Sequence, residues 1–188
     1  MRIAVLALQG AFIEHEQRLR ELGAECFEIR QLSDWHQPKD GLILPGGEST
    51  VQMRLFSQLG LLEPIREAIT KGLPVFGTCA GMILLSEERL GTMSIRVRRN
   101  AYGRQLGSFH TTGHVTGIGD DVPMTFIRAP YIDAITGDDC QSLAVVDGHI
   151  VAARQGHQIA TAFHPELDND FRFHQYFLDI CDQHRLRG

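Results

Sequence analysis

Three continuous apolar runs constrain this chain most: residues 2–8 (RIAVLAL), 41–45 (GLILP) and 74–78 (PVFGT), separated by amphipathic stretches. A strand that faces solvent on one side alternates apolar with polar. A run without alternation reads as a strand buried on both faces. Between these runs Phe12, His15 or Glu16, Leu19 and Leu22 recur at helical spacing, with Gly23 as a stop. Residues 25–30 read as another strand. Further helices are expected to start near Glu48 to Thr50, to run over 62–71 with Gly72 and Pro74 beyond it, and to cover 80–86. Strand–helix alternation of this kind predicts a parallel sheet covered on both faces.

The pattern changes after about residue 94. Short runs rich in β-branched residues cover 94–98, 106–109, 122–128, 143–146, 149–153 and 158–162, and turn signals such as Asp147-Gly148 predict antiparallel hairpins. Residues 170–185 return to helix, with Phe173, Tyr176, Phe177, Ile180, Cys181 and His184 on one face and Asn169 or Asp170 as cap. The expectation is one α/β domain over residues 1–188, a three-layer sandwich with a mixed, mainly parallel, flavodoxin-like sheet. Ligands in such folds sit beyond the carboxyl ends of the parallel strands.

Composition narrows the function classes. At 188 residues the chain is close to one domain of ~150 residues. It is 43% hydrophobic and 22% charged, unlike a disordered chain. Eighteen Lys and Arg against 23 Asp and Glu give a net charge of −5, which argues against nucleic acid as partner. No run reaches the ~20 apolar residues of a membrane helix, and residues 3–8 are too short for a signal-peptide core, so a cytoplasmic chain is expected. Cys26, Cys79, Cys140 and Cys181 are too far apart for a CxxC pair or a zinc site, and free thiols are expected.

Gly77-Thr78-Cys79-Ala80-Gly81 lies between a strand and a helix, as the thiol counterpart of the G-x-S-x-G nucleophile elbow. A sharp turn there lifts the side chain over the sheet edge, small neighbours make room, and the helix start favours the thiolate. A buried cysteine in a tight glycine turn would read the same in isolation. A thiol nucleophile needs a histidine base, and the base an orienting carboxylate. Phe163-His164-Pro165-Glu166 supplies both directly after an apolar run. His110 and His114, four apart, fall on one strand face, but no third ligand makes them a metal site.

Pro45-Gly46-Gly47-Glu48-Ser49-Thr50 follows the third strand. Its glycines allow close approach to a ligand, and amides at the next helix start can stabilise an oxyanion. It lacks the spacing and lysine of a phosphate loop. Arg98, Arg99 and Arg104, near Asn100 and Gly103, and Arg128 before Ala129-Pro130, offer guanidinium forks for an acidic substrate group.

Taken together, GLILPGGEST, GTCAG, RNAYGRQ, FIRAP and FHPEL resemble, in order and context, the glutaminase subunits of pyridoxal 5′-phosphate synthase, a branch of the class I glutamine amidotransferases. The resemblance runs from residue 5 to the last helix. It implies that Cys79 attacks the side-chain amide of glutamine, that His164 moves the proton, and that Glu166 orients His164. It also implies an oxyanion hole from the Gly47 and Ala80 amides, and glutamine binding by Gly47, Glu48, Ser49, Arg99, Ile127 and Arg128. The implied partner is a (β/α)₈-barrel synthase subunit in a hetero-oligomer. That subunit joins the ammonia to ribose 5-phosphate and glyceraldehyde 3-phosphate, and the glutaminase itself holds no cofactor or metal. Tyr102 stands where such sequences usually have Phe, His110 where an acidic residue is common, and the stretch 87–98 is shorter. A subunit of another synthase such as imidazole glycerol phosphate synthase, a free-standing γ-glutamyl hydrolase and a non-catalytic regulatory subunit are the competing readings.

Overall fold

The structure, a computed structural model, describes residues 1–99 and 108–188. Its main sheet has nine strands, with β1 (Arg2–Leu6), β2 (Glu25–Ile29), β3 (Gly41–Leu44), β4 (Val75–Thr78), β5 (Ile95–Arg98), β8 (Tyr131–Ile135), β9 (Cys140–Val146), β10 (His149–Gln155) and β11 (Gln158–Thr161). The order is β2-β1-β3-β4-β11-β10-β8-β5, and β9 is added on β10. The five strands from β2 to β11 run parallel, and the rest join antiparallel. A separate two-stranded ribbon pairs β6 (Ser108–Val115) with β7 (Gly119–Ile127). The mixed, mainly parallel sheet is the one expected.

Alternation along β4 sorts the helices into two layers. Phe76 and Thr78 face α1 (Phe12–Glu21) and the last helix, α6 (Arg172–Arg187). Phe76 stacks on Phe173 at a centroid distance of 6.0 Å, and Thr78 bonds His15. Gly77 points the other way, to α5 (Ala80–Leu85), where an added Cβ would come within 2.6 Å of the Gly81 carbonyl oxygen. Every residue of β3 and β4 is buried, as their unbroken apolar sequence requires. The remaining helices are α2 (Leu32–Trp35), α3 (Ser49–Gln58) and α4 (Leu62–Thr70). Among the described residues no helix is long and apolar enough to cross a membrane.

Several expected boundaries move. β1 stops at Leu6, because the chain bends over residues 8–10 to bring Ala11 N–H onto the Gly46 carbonyl at 3.1 Å. β6 is twice as long as the expected run and β7 begins three residues before its own, since the ribbon exposes alternate residues and its apolar signal is diluted. Strand β8 was hidden by Asp133, which faces solvent in the middle of it. On α6 the buried positions include His174 and Leu178, whereas Tyr176 is half-buried and its hydroxyl accepts from Arg154 Nη1 over 2.7 Å. The cap is Phe171 by position, although the Asp170 carboxylate accepts the Arg172 N–H at 2.9 Å. The Asp147-Gly148 hairpin is present, with both residues at positive φ, as a tight two-residue turn requires. Asn100, Tyr102, Gly103 and Arg104, and with them most of the RNAYGRQ segment and the start of the expected strand 106–109, lie outside the described residues.

Candidate active site

The carboxyl ends of β1, β3, β4 and β11 open onto one cavity of about 470 Å³. Cys79 sits at the end of β4 with φ 52° and ψ −103°, a left-handed conformation that costs a residue with a Cβ roughly 1–3 kcal/mol. Three features hold it there. The Cys79 N–H donates to the Thr161 carbonyl on β11 at 2.8 Å. Gly77 and Gly81 let strand and helix touch, and a Cβ on Gly81 would lie 1.9 Å from the Leu44 carbonyl oxygen. The elbow is therefore a packed, over-determined turn, and its strain is an observed one.

His164 follows β11. Its N–H donates to the Thr125 carbonyl of β7 at 2.9 Å, which ties the base to the ribbon. The Pro165–Leu167 3₁₀ turn swings Glu166 back beneath the ring, where Oε1 meets His164 Nδ1 at 2.5 Å. Glu166 does not line the cavity and is buried behind the histidine. Cys79 and His164 line the cavity together. Burial disfavours the charged ring, but hydrogen bonds to Cys79 and Glu166 and the negative charge of both outweigh it, so the His164 pKa is raised to about 10. A histidine so raised beside a thiol is an arrangement that can support attack of sulfur on a carbonyl and protonation of a leaving group.

Gly47, Glu48, Ser49, Ala80, Arg99, Ile127 and Arg128 all line the cavity. Ala80 is the first residue of α5, so its N–H lacks an intrahelical acceptor. Ser49 is buried and its hydroxyl has no partner among the described residues. Arg99 and Arg128 stand exposed at the rim, and Arg128 adopts φ 45°. His110 and His114 do not join the site: they pair with Asp168 at 3.3 Å and Asp120 at 2.6 Å. Among the described residues no group of three His, Cys, Asp or Glu side chains is placed to hold a metal ion.

Sequence reasoning missed Gln9. It follows β1, lines the cavity, and its Oε1 accepts the Glu48 N–H at 2.7 Å, fixing the Gly47-Glu48 segment. Its position just past the carboxyl end of a buried parallel strand was the available signal. Two buried histidines, His15 and His174, were also missed as a pair; they touch at 2.9 Å behind Glu166.

Burial pushes both rings toward the neutral form. His15 falls well below its ordinary value, and His174 falls to about 3. The unfolded chain protonates both near pH 6.5, whereas the fold cannot, so stability falls as pH drops below that value. Between pH 6 and pH 5 these two residues remove about 2 kcal/mol. His164, shifted upward, is charged in both states there and adds no slope; its contribution is lost instead between pH 6.5 and about 10. Urea unfolding at pH 7, 6 and 5 should show the acid loss, and His174→Leu should remove about half of that slope. A flat profile in the wild-type chain would mean that the pair is not buried neutral.

An elbow thiol with a buried His–Glu pair, over the carboxyl edge of a doubly wound sheet, defines a thiol hydrolase of the amidotransferase type. The chain belongs to the SNO glutamine amidotransferase family, whose model matches residues 5–183. It is 55% identical to the pyridoxal 5′-phosphate synthase subunit PdxT of Desulfitobacterium hafniense, covering 95% of this chain and 92% of that protein. It is 52% identical to the PdxT subunit of Streptococcus pneumoniae, covering 98% and 100%. A solved structure described as a glutamine amidotransferase superposes with a TM-score of 0.89 at 40% identity, covering 96% of this chain and 98% of that one. A putative GMP synthase protein from Thermoplasma acidophilum shares the fold, with a TM-score of 0.73 at 20% identity, covering 98% of this chain and 96% of that one.

Proposed function

We propose that this chain is the glutaminase subunit of a pyridoxal 5′-phosphate synthase, hydrolysing L-glutamine to L-glutamate and ammonia. The observation that carries it is the full-length identity of 52–55% to PdxT subunits. The thiolate of Cys79 adds to the carboxamide carbon, and the oxyanion is met by the amides of Gly47 and Ala80. The C–N bond then breaks as the His164 imidazolium gives its proton to the departing ammonia, leaving a glutamyl thioester. Neutral His164 takes a proton from water, hydroxide adds to the thioester, and glutamate leaves with the thiolate restored. Glu166 keeps the ring oriented throughout. Gly47, Glu48, Ser49, Arg99, Ile127 and Arg128 hold glutamine, the arginines suiting its α-carboxylate.

The whole of residues 1–188 forms one glutaminase domain in this reading, which the main sheet, drawing strands from both halves, supports. The thiol supplies the nucleophile, so the reaction calls for no cofactor or metal from this chain. Ammonia passes to a (β/α)₈-barrel synthase subunit in a cytoplasmic hetero-oligomer. That partner should activate the glutaminase. The Gly46 carbonyl is held by Ala11 N–H, and Gly47 has φ 150°, so turning this peptide to aim its N–H differently needs outside binding energy. Steady-state turnover with excess synthase should exceed that of the isolated chain by up to roughly 100- to 1000-fold, the worth of one oxyanion donor. Gly47→Ala should stay slow in both, since its Cβ would lie 2.4 Å from Gln9 Oε1. Equal wild-type turnover with and without synthase would favour a free-standing hydrolase.

A further inference from the structure

Glu166 has two oxygens, and the Cys–His–Glu mechanism uses one. Oε1 is on His164; Oε2 is buried with no strict hydrogen bond among the described residues. His15 Nε2 on α1 lies 3.5 Å from Oε2, and the same nitrogen lies 3.1 Å from Thr78 Oγ1. His15 Nδ1 in turn lies 2.9 Å from His174 Nε2 on α6. Both rings are fully buried against Phe76.

Proton placement follows from elimination. If His15 carried its proton on Nδ1, its bare Nε2 would point a lone pair at Oε2. His174 Nδ1, which has no hydrogen-bond partner among the described residues, would then be an orphaned buried N–H. Both are costly in a dry interior. If His15 carries its proton on Nε2, it donates toward Thr78 Oγ1 and Oε2. His174 then donates from Nε2 to His15 Nδ1, and its own Nδ1 is left as a bare acceptor, the cheaper atom to leave alone. One arrangement serves every contact.

We infer that His15, its tautomer fixed by His174, is a positioning residue that holds the second oxygen of Glu166, so the chain Cys79–His164–Glu166 continues through His15 to His174. The inference rests on the proposed roles of Cys79, His164 and Glu166. A neutral donor suits this place. It fixes the carboxylate without neutralising the charge that His164 needs, and the depressed pKa values of His15 and His174 agree with neutral rings. The carboxylate sits on a three-residue 3₁₀ turn, so its direction depends on contacts from other elements. Both histidines come from helices in the layer that backs β4, and so link the rigid core to the reacting ring.

The test is steady-state glutamine hydrolysis with the synthase subunit in excess, together with thermal unfolding of each variant. His15→Leu should lower kcat roughly 10- to 100-fold, the cost of misplacing a catalytic group by about 1 Å, with KM little changed. His15→Gln, whose amide can reach the same oxygen, should recover most of the loss. His174→Leu should lower kcat less than His15→Leu, and it stands in if His15→Leu does not fold. In a Glu166→Ala background neither His15→Leu nor His174→Leu should cost anything further, because nothing is left to position. An equal fold-loss in both backgrounds, or His15→Gln as slow as His15→Leu with the fold intact, would make the pair a core contact only and overturn the inference. Wild-type kcat in Glu166→Ala alone would overturn instead the proposed role of Glu166 beneath it.

Discussion

Cys79→Ala abolishes glutamate release while the chain keeps its fold. Alanine retains the Cβ, so the backbone strain at φ 52° and the bonds that hold the elbow are the same in both proteins. What disappears is the sulfur, and with it the covalent route. Loss of a nucleophile from a cooperating set costs on the order of 10⁶-fold in turnover. The other thiols offer no substitute. Burial pushes Cys26 and Cys140 up to about 11 and Cys181 higher still, so none of them is a ready nucleophile. Alanine at Cys26, Cys140 or Cys181 leaves turnover largely unchanged. Glutamate assay of the four variants, with thermal unfolding as control, checks this, and wild-type-like release by Cys79→Ala rules out the thiol mechanism.

His164→Asn falls to within about tenfold of Cys79→Ala, while Glu166→Gln loses roughly 10- to 100-fold less. The order follows from what each group touches. His164 interacts with Cys79 and, in the proposed cycle, moves every proton. Glu166 meets the ring on the side away from Cys79, and a glutamine oxygen can still accept from Nδ1–H at that place. Its lost negative charge should also lower the His164 pKa, moving the alkaline limb of kcat/KM to lower pH, because Glu166 is one of the groups that raise it. Glu166→Gln as inactive as Cys79→Ala, with both folded, would mean that the carboxylate does more than orient.

The parallel half of the fold was legible because burial on both faces leaves no room for polar residues in β3 and β4. The antiparallel half was legible in pieces. Where a strand shows one face to solvent, as around Asp133 in β8 or along β6, apolar runs shorten below recognition. The site divided in the same way. Cys79, His164 and Glu166 stand in short local motifs whose chemistry dictates their spacing. Gln9 and His15 meet partners 39 and 63 positions away, and the His15–His174 contact spans 159. His174 was missed for a physical reason: a polar ring on a helix reads as solvent-facing unless its buried partner is known. The partner is another histidine, itself read only as one member of an apolar stripe.

The most direct test of the account is rapid acid quench of the chain with excess synthase and saturating glutamine, followed by intact-mass and peptide analysis. The predicted result is a single added glutamyl group, carried on Cys79, absent from Cys79→Ala and lost on treatment with hydroxylamine. Full glutaminase turnover with no glutamyl group on Cys79 at any quench time, or with the group on another residue, would contradict it.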